Sequence, residues 1–169
     1  MSTHPLETYL AECRAVRATG ANVAETSYYP SLSALLNEVG RHLKPKVRCF
    51  MGLKNQGAGM PDGGLFAESQ FGKRSDAEPL PGQMPERGVI EVKGVGADMK
   101  KLTAGEQVTR YWAKYRLVLV TDLREFVLLG EESGKTVTRE RYVLAATAKQ
   151  DLNRGRISRL AQAVWHLNS

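Results

Sequence analysis

The segment Gly88-Val-Ile-Glu-Val-Lys-Gly94 constrains this chain more than any other. Val89, Ile90 and Val92 mark a buried strand, yet Glu91 and Lys93 interrupt it with full charges. Side chains two apart on a strand share a face, so Glu91 and Lys93 project together while Val92 enters the core. A charge inside an apolar strand is costly unless it is paired or bound to a metal. The strand is expected over Gly88–Lys93, followed by a helix over Thr103–Tyr115. Thr103 is the expected N-cap, with Glu106 at capping-box spacing. Leu117–Thr121 (LVLVT) is then a nearly continuous apolar run, as in a strand buried on both faces. Strand, helix and strand make a right-handed βαβ crossover.

The flanking segments extend this unit. A first helix is expected over Thr8–Ala18, ending at Gly20, and a longer one over Glu25–Leu43. In the second, Tyr29, Leu32, Leu36, Val39 and Leu43 share one face. Pro30 falls in its first turns, where a missing N–H is tolerated, and Pro45 follows its end. Strands are expected at Val47–Leu53 and Gly63–Ala67 before the crossover, and at Glu125–Leu129 and Val137–Leu144 after it. A helix over Ile157–Leu167, with Leu160, Val164 and Leu167 on one face, closes the chain. The Pro- and Gly-rich stretch Glu68–Arg87 is expected to be a mobile surface loop. The fold class is α/β: one domain over residues 1–169, with a mixed sheet and helices on both faces.

The chain has 169 residues and a net charge of +6, which permits a polyanionic partner without requiring one. Cys13, Cys49, His4, His42 and His166 lack zinc-ligand spacing, and reduced, buried thiols are expected. No apolar run is long enough to span a membrane, and the N-terminus lacks a signal-peptide layout. A cytoplasmic protein follows by default.

The chemistry gathers at Asp62, which opens a strand after Pro61, and at Glu91 and Lys93. Mg²⁺ prefers oxygen ligands and keeps several waters, so two carboxylates plus a scissile phosphate suffice to hold it. Asp62 and Glu91 would be its ligands, with the Val92 backbone carbonyl as a third and Mn²⁺ as a substitute ion. The Lys93 ammonium would orient the attacking water and offset charge developing in the transition state.

Pro61-Asp62 followed by Glu91-Val92-Lys93 resembles the PD-(D/E)xK nuclease motif. Gln107 and Tyr111 in EQVTRY match the QxxxY element that follows the active site in several branches of that superfamily. They share a helix face at four-residue spacing. Glu25, opening ETSYYP, matches an acidic residue that some branches carry on the helix before the sheet. Together with LKPKV, GAGMPDGGLF, GVIEVKG and LVLVTDLREFVL, the string is similar to the Mrr-like N-terminal nuclease domain of type ISP restriction-modification enzymes. The likeness covers Glu25 to Leu129. It implies a restriction-endonuclease-like core, a Mg²⁺-dependent DNA endonuclease, and double-stranded DNA as substrate. It also implies work alongside methyltransferase, translocase and target-recognition modules, in cis or in trans. Those modules are not in this sequence, so a fragment or a stand-alone relative is expected.

Each of these residues also has a purely structural reading. Asp62 could be a turn residue before Gly63-Gly64. Glu91 and Lys93 could be an exposed pair on an edge strand. Glu25 could simply favour a helix N-terminus, and Gln107 and Tyr111 could be ordinary helix residues. The basic stretches Arg41-Lys44-Lys46-Arg48 and Arg154-Arg156-Arg159 read first as solvated faces. Gly130-Glu-Glu-Ser-Gly-Lys-Thr136 resembles a phosphate-binding loop, but three residues rather than four separate its glycines and a strand follows. A hairpin turn is the better account. The competing functions are a repair or recombination nuclease, and a DNA-binding module that does not cut.

Overall fold

In the computed structural model, which describes residues 4–20, 22–73 and 78–144, six strands form one sheet in the order β1 to β6. They are β1 (Val47–Met51), β2 (Gly63–Ala67), β3 (Val89–Val92), β4 (Val118–Thr121), β5 (Glu125–Glu132) and β6 (Lys135–Val143). Every neighbouring pair is antiparallel except β3 and β4, which run parallel in the register Val89↔Val118 to Val92↔Thr121. The parallel pair is the expected crossover, and the mixed α/β sheet has helices on both faces. The expected closing helix over Ile157–Leu167 and the stretch Arg154-Arg156-Arg159 lie outside the described residues.

Alternation along β3 divides the core in two. Ile90 and Val92 pack with Leu6, Tyr9, Tyr28, Leu32 and Leu35, under α1 (Pro5–Ala18) and α2 (Tyr29–Gly40). Val89, Val118 and Val120 pack on the other face with Met99, Val108, Tyr111 and Tyr115, under α3 (Met99–Thr103) and α4 (Glu106–Tyr115). Glu91 shares the parity of Val89 and so projects toward α4.

Several boundaries differ from expectation. α1 begins at Pro5 rather than Thr8, because proline suits the first helical position and the His4 imidazole accepts the Leu6 N–H at 3.2 Å. The second helix is split: a 3-10 turn over Glu25–Tyr28 leads into α2, which stops at Gly40, short of Leu43. A Cβ at Gly40 would collide with the Val47 carbonyl, so glycine permits the close approach of α2 to β1. The helix expected over Thr103–Tyr115 begins later, at Glu106, and a separate short helix, α3, ends at Thr103. Asp98 caps α3 by accepting the Lys101 N–H at 3.1 Å, and the extended Gly105 is the N-cap of α4. Thr103 is therefore not a cap; its hydroxyl donates to the Met99 carbonyl at 2.9 Å.

The described ends of the stretch after β2 are anchored rather than free, while residues 74–77 of the expected loop lie outside the described residues. Gln70 is 3% exposed and its amide ties Ala67, Gln83, Met84 and Glu86 together. Phe71 bridges to Pro79. The β5–β6 connection is the expected hairpin, with Ser133 (φ 51°) and Gly134 (φ 77°) as its two turn residues. Cys13 and Cys49 are free thiols. Among the described residues no helix is long and apolar enough to cross a membrane.

Candidate active site

The neighbouring ends of β2 and β3 bring Asp62 and Glu91 to one place. Asp62 precedes β2, which pairs with β3 through Gly63↔Ile90 and Gly64↔Val89. One Asp62 oxygen accepts the Val92 N–H at 2.7 Å, and the other accepts the Tyr29 hydroxyl at 2.5 Å. This carboxylate thus ties the start of α2 to β3, a role that a simple turn residue would not fill. The approach to it is shaped by Gly59 (φ 106°), where a Cβ would lie 3.4 Å from the Tyr111 ring. Both the backbone angle and the space favour glycine in GAGMPD.

Glu91 is 1% exposed, yet it sits on a central strand rather than an edge. The Lys93 ammonium lies 2.7 Å from its Oε1 as an ion pair, while its Oε2 has no hydrogen-bond partner. A buried carboxylate oxygen is rarely left so, because its desolvation is then only partly compensated. Burial pushes the Glu91 pKa above its ordinary value, and the charges of Asp62 and Glu25 add to the rise against the pull of Lys93. For Lys93, burial works to lower the pKa, but Glu91, Asp62 and Glu25 together hold it above the usual lysine value. Each of these groups therefore feels the others' charge.

The helices supply the rest. Glu25 accepts the Gly94 N–H at 2.8 Å, directly after Lys93. Tyr111 is buried on α4, and the Gln107 amide donates to its hydroxyl at 2.9 Å. Burial raises the Tyr111 pKa, and Glu91 and Asp62 raise it further, which places its hydroxyl in the field of the same carboxylates. Gln107 and Tyr111 hydrogen-bond each other rather than Asp62, Glu91 or Lys93, so they form the rim of the cluster. All six side chains singled out in the sequence converge on one end of β3.

Among the described residues no three His, Cys, Asp or Glu side chains form a group able to hold a metal ion. A zinc-type cage is thus absent there. A hard cation that keeps its own waters needs less, and the buried Glu91 carboxylate beside Asp62, with its Oε2 unpartnered, fits that requirement.

Comparison with known proteins adds the fold. No family model matches the chain, and no curated protein matches it. A solved structure that it resembles is the cryo-EM structure of a DrdV–DNA complex, at TM-score 0.59 and 17% identity. The match covers 97% of this chain but 14% of the other, so this chain corresponds to about a seventh of that length. At that identity the likeness speaks for the fold alone. It agrees with the α/β, restriction-endonuclease-like core expected from the sequence.

Two participants were not singled out beforehand. Tyr29 reads in the sequence as one of the apolar residues on a helix face, but its hydroxyl is bound to Asp62 and burial raises its pKa strongly. Its spacing of four residues from Glu25 was the available signal, since both then look toward the same strand end. Asp122 is 4% exposed and accepts the N–H groups of Gly96, Arg124 and Glu125. It pins the segment after Lys93 to the β4–β5 turn, and no local pattern announces that role.

Proposed function

We propose that this chain is a Mg²⁺-dependent DNA endonuclease domain of the restriction-modification type. In this reading Asp62, Glu91 and the Val92 carbonyl hold the ion, and Mn²⁺ can replace it. The observation that carries the proposal is the buried Glu91 carboxylate beside Asp62, with Lys93 on its Oε1 and nothing bonded to its Oε2. A bound Mg²⁺ would polarise the scissile phosphate and lower the pKa of the attacking water. The protein's own residues do the positioning. Tyr29 and the Val92 N–H fix both oxygens of Asp62. Lys93, held by Glu91, places a fixed ammonium where negative charge builds up on the phosphate. Glu25 braces the backbone at Gly94, which keeps Lys93 in register. Gln107 and Tyr111 close the α4 side.

The test is plasmid cutting by the purified chain, with Mg²⁺ and with EDTA. Cutting that depends on Mg²⁺ and on Lys93 supports the proposal, and full activity in EDTA contradicts it. Circular and linear substrates distinguish an endonuclease from an end-processing repair enzyme. The positioning residues should matter less than the ion's ligands. Tyr29→Phe, Glu25→Gln and Gln107→Ala should each slow cutting by about 10- to 100-fold, as loss of groups that orient metal ligands commonly does. Wild-type rates in all three variants would remove the helices from the account.

Recognition is assigned to methyltransferase, translocase and target-recognition modules acting in cis or in trans on double-stranded DNA. Contacts to phosphates position DNA but carry no base information. The isolated chain should therefore bind weakly, lose affinity steeply as salt rises, and cut without site preference. Sequencing the ends it releases from a plasmid checks this. One recurring recognition sequence would show that the domain reads bases itself.

A further inference from the structure

β1 lies at the edge of the sheet, and α2 runs beside it. Between them lies an open groove of about 770 Å³. Tyr29 lines this groove, and its hydroxyl binds Asp62, so one wall residue of the groove touches the carboxylate cluster. Further along, its walls carry Arg41, Lys46 and Arg48 against the single carboxylate of Glu68.

The strand pairing decides which way these cations point. Cross-strand partners share a sheet face. Arg48 pairs with Phe66, and Gly64, two residues before Phe66, pairs with Val89. Arg48 therefore projects from the same face as Val89 and Glu91. The antiparallel register sets Met51 opposite Gly63, beside Asp62. At about 3.4 Å per residue, Arg48 and Lys46 follow at about 10 Å and about 17 Å from that point.

Lys46 and Arg41 are held in surface ion pairs, which compete only weakly with phosphate. Lys46 lies 3.4 Å from Glu68, with both side chains more than half exposed. Arg41 is paired with Glu38 on the surface. Exposed pairs of this kind contribute little. The Arg48 guanidinium stacks 3.6 Å above the Phe71 ring, a contact that uses its flat face and fixes its orientation.

We propose that this groove seats the phosphodiester backbone of the DNA strand flanking the cut, with Arg48 and Lys46 as phosphate contacts. The inference rests on the nuclease reading for its substrate, but its test does not depend on cutting. DNA binding by the full chain is measured in EDTA across a salt series, for wild type and for Lys46→Gln combined with Arg48→Gln. The control is Lys135→Gln combined with Arg139→Gln, on β6 at the opposite sheet edge, and circular dichroism verifies folding of each. Two lost phosphate contacts should weaken binding about tenfold or more and flatten the log–log salt slope by roughly two. The control pair should leave the slope unchanged. If wild type binds and the groove variant loses slope while neither cuts with Mg²⁺, the groove stands and the nuclease reading falls. A groove variant with the wild-type slope, a control variant with an equal loss, or a wild type that does not bind DNA would overturn the proposal.

Discussion

Replacing Lys93 by Ala is expected to slow DNA cutting by roughly 10³-fold or more while leaving DNA affinity within about twofold. The ammonium stands 2.7 Å from Glu91 at the end of β3, and its side chain is 32% exposed. It can therefore meet a phosphate without moving the core. Its value lies in the charge that develops during phosphoryl displacement, so its loss appears in rate rather than in binding. The fold should survive, because Glu91 can take up a proton once its counter-ion is gone. Single-turnover cutting, with binding measured separately in EDTA, separates the two effects. A variant that cuts at the wild-type rate would remove Lys93 from the mechanism. One that cuts slowly only because it no longer binds would make it a binding residue.

Asp62→Ala and Glu91→Gln should each lower Mg²⁺-dependent cutting by about 10³-fold or more, since each removes a group assigned to the ion. The two should differ in stability. Asp62 accepts two hydrogen bonds that join α2 to β3, so its removal leaves the Val92 N–H and the Tyr29 hydroxyl without that partner. Glu91 is bonded only to Lys93 and its Oε2 has no partner, so Gln in its place removes a buried charge that is only partly compensated. The sign of its pH dependence follows. Burial, with Asp62 and Glu25 adding to it, holds the Glu91 pKa above 4.5 in the folded chain. The folded chain thus binds that proton more tightly than the unfolded chain does. The stability contributed is present below the ordinary glutamate value and is lost as pH rises through the raised folded value. Measured in EDTA, the Tm advantage of Glu91→Gln over wild type should widen from about pH 4 to about pH 7. An advantage that is constant or shrinks over that range would show that the surroundings do not raise the Glu91 pKa.

What the sequence made legible was the part governed by short-range rules. The charged pair within Val89–Lys93 and the apolar run at Leu117–Thr121 announced a parallel β3–β4 pair, because alternation and continuous burial have simple periods. The convergence of Asp62, Glu25, Gln107 and Tyr111 on that strand end was legible through the resemblance, not through any single spacing. What escaped was set by tertiary competition. Thr103 has the chemistry of an N-cap, but it is the last residue of α3, and the extended Gly105 two residues later is the N-cap of α4. In the loop after β2, nothing local shows that Gln70 will be buried and bonded to Gln83 and Met84. Tyr29 was counted with the apolar face of its helix. A tyrosine ring is apolar, and the hydroxyl at its tip finds Asp62 only once α2 is laid beside β2.

The central claim is that Asp62 and Glu91 share one divalent cation. Crystals of the chain soaked in Mn²⁺ test it most directly, because manganese can be located by its anomalous scattering. The expected result is a single strong peak bridged by the Asp62 and Glu91 carboxylates, lost in Glu91→Gln crystals. A peak elsewhere, or no peak between these carboxylates at millimolar Mn²⁺, would contradict the assignment of this site as a metal-dependent nuclease centre.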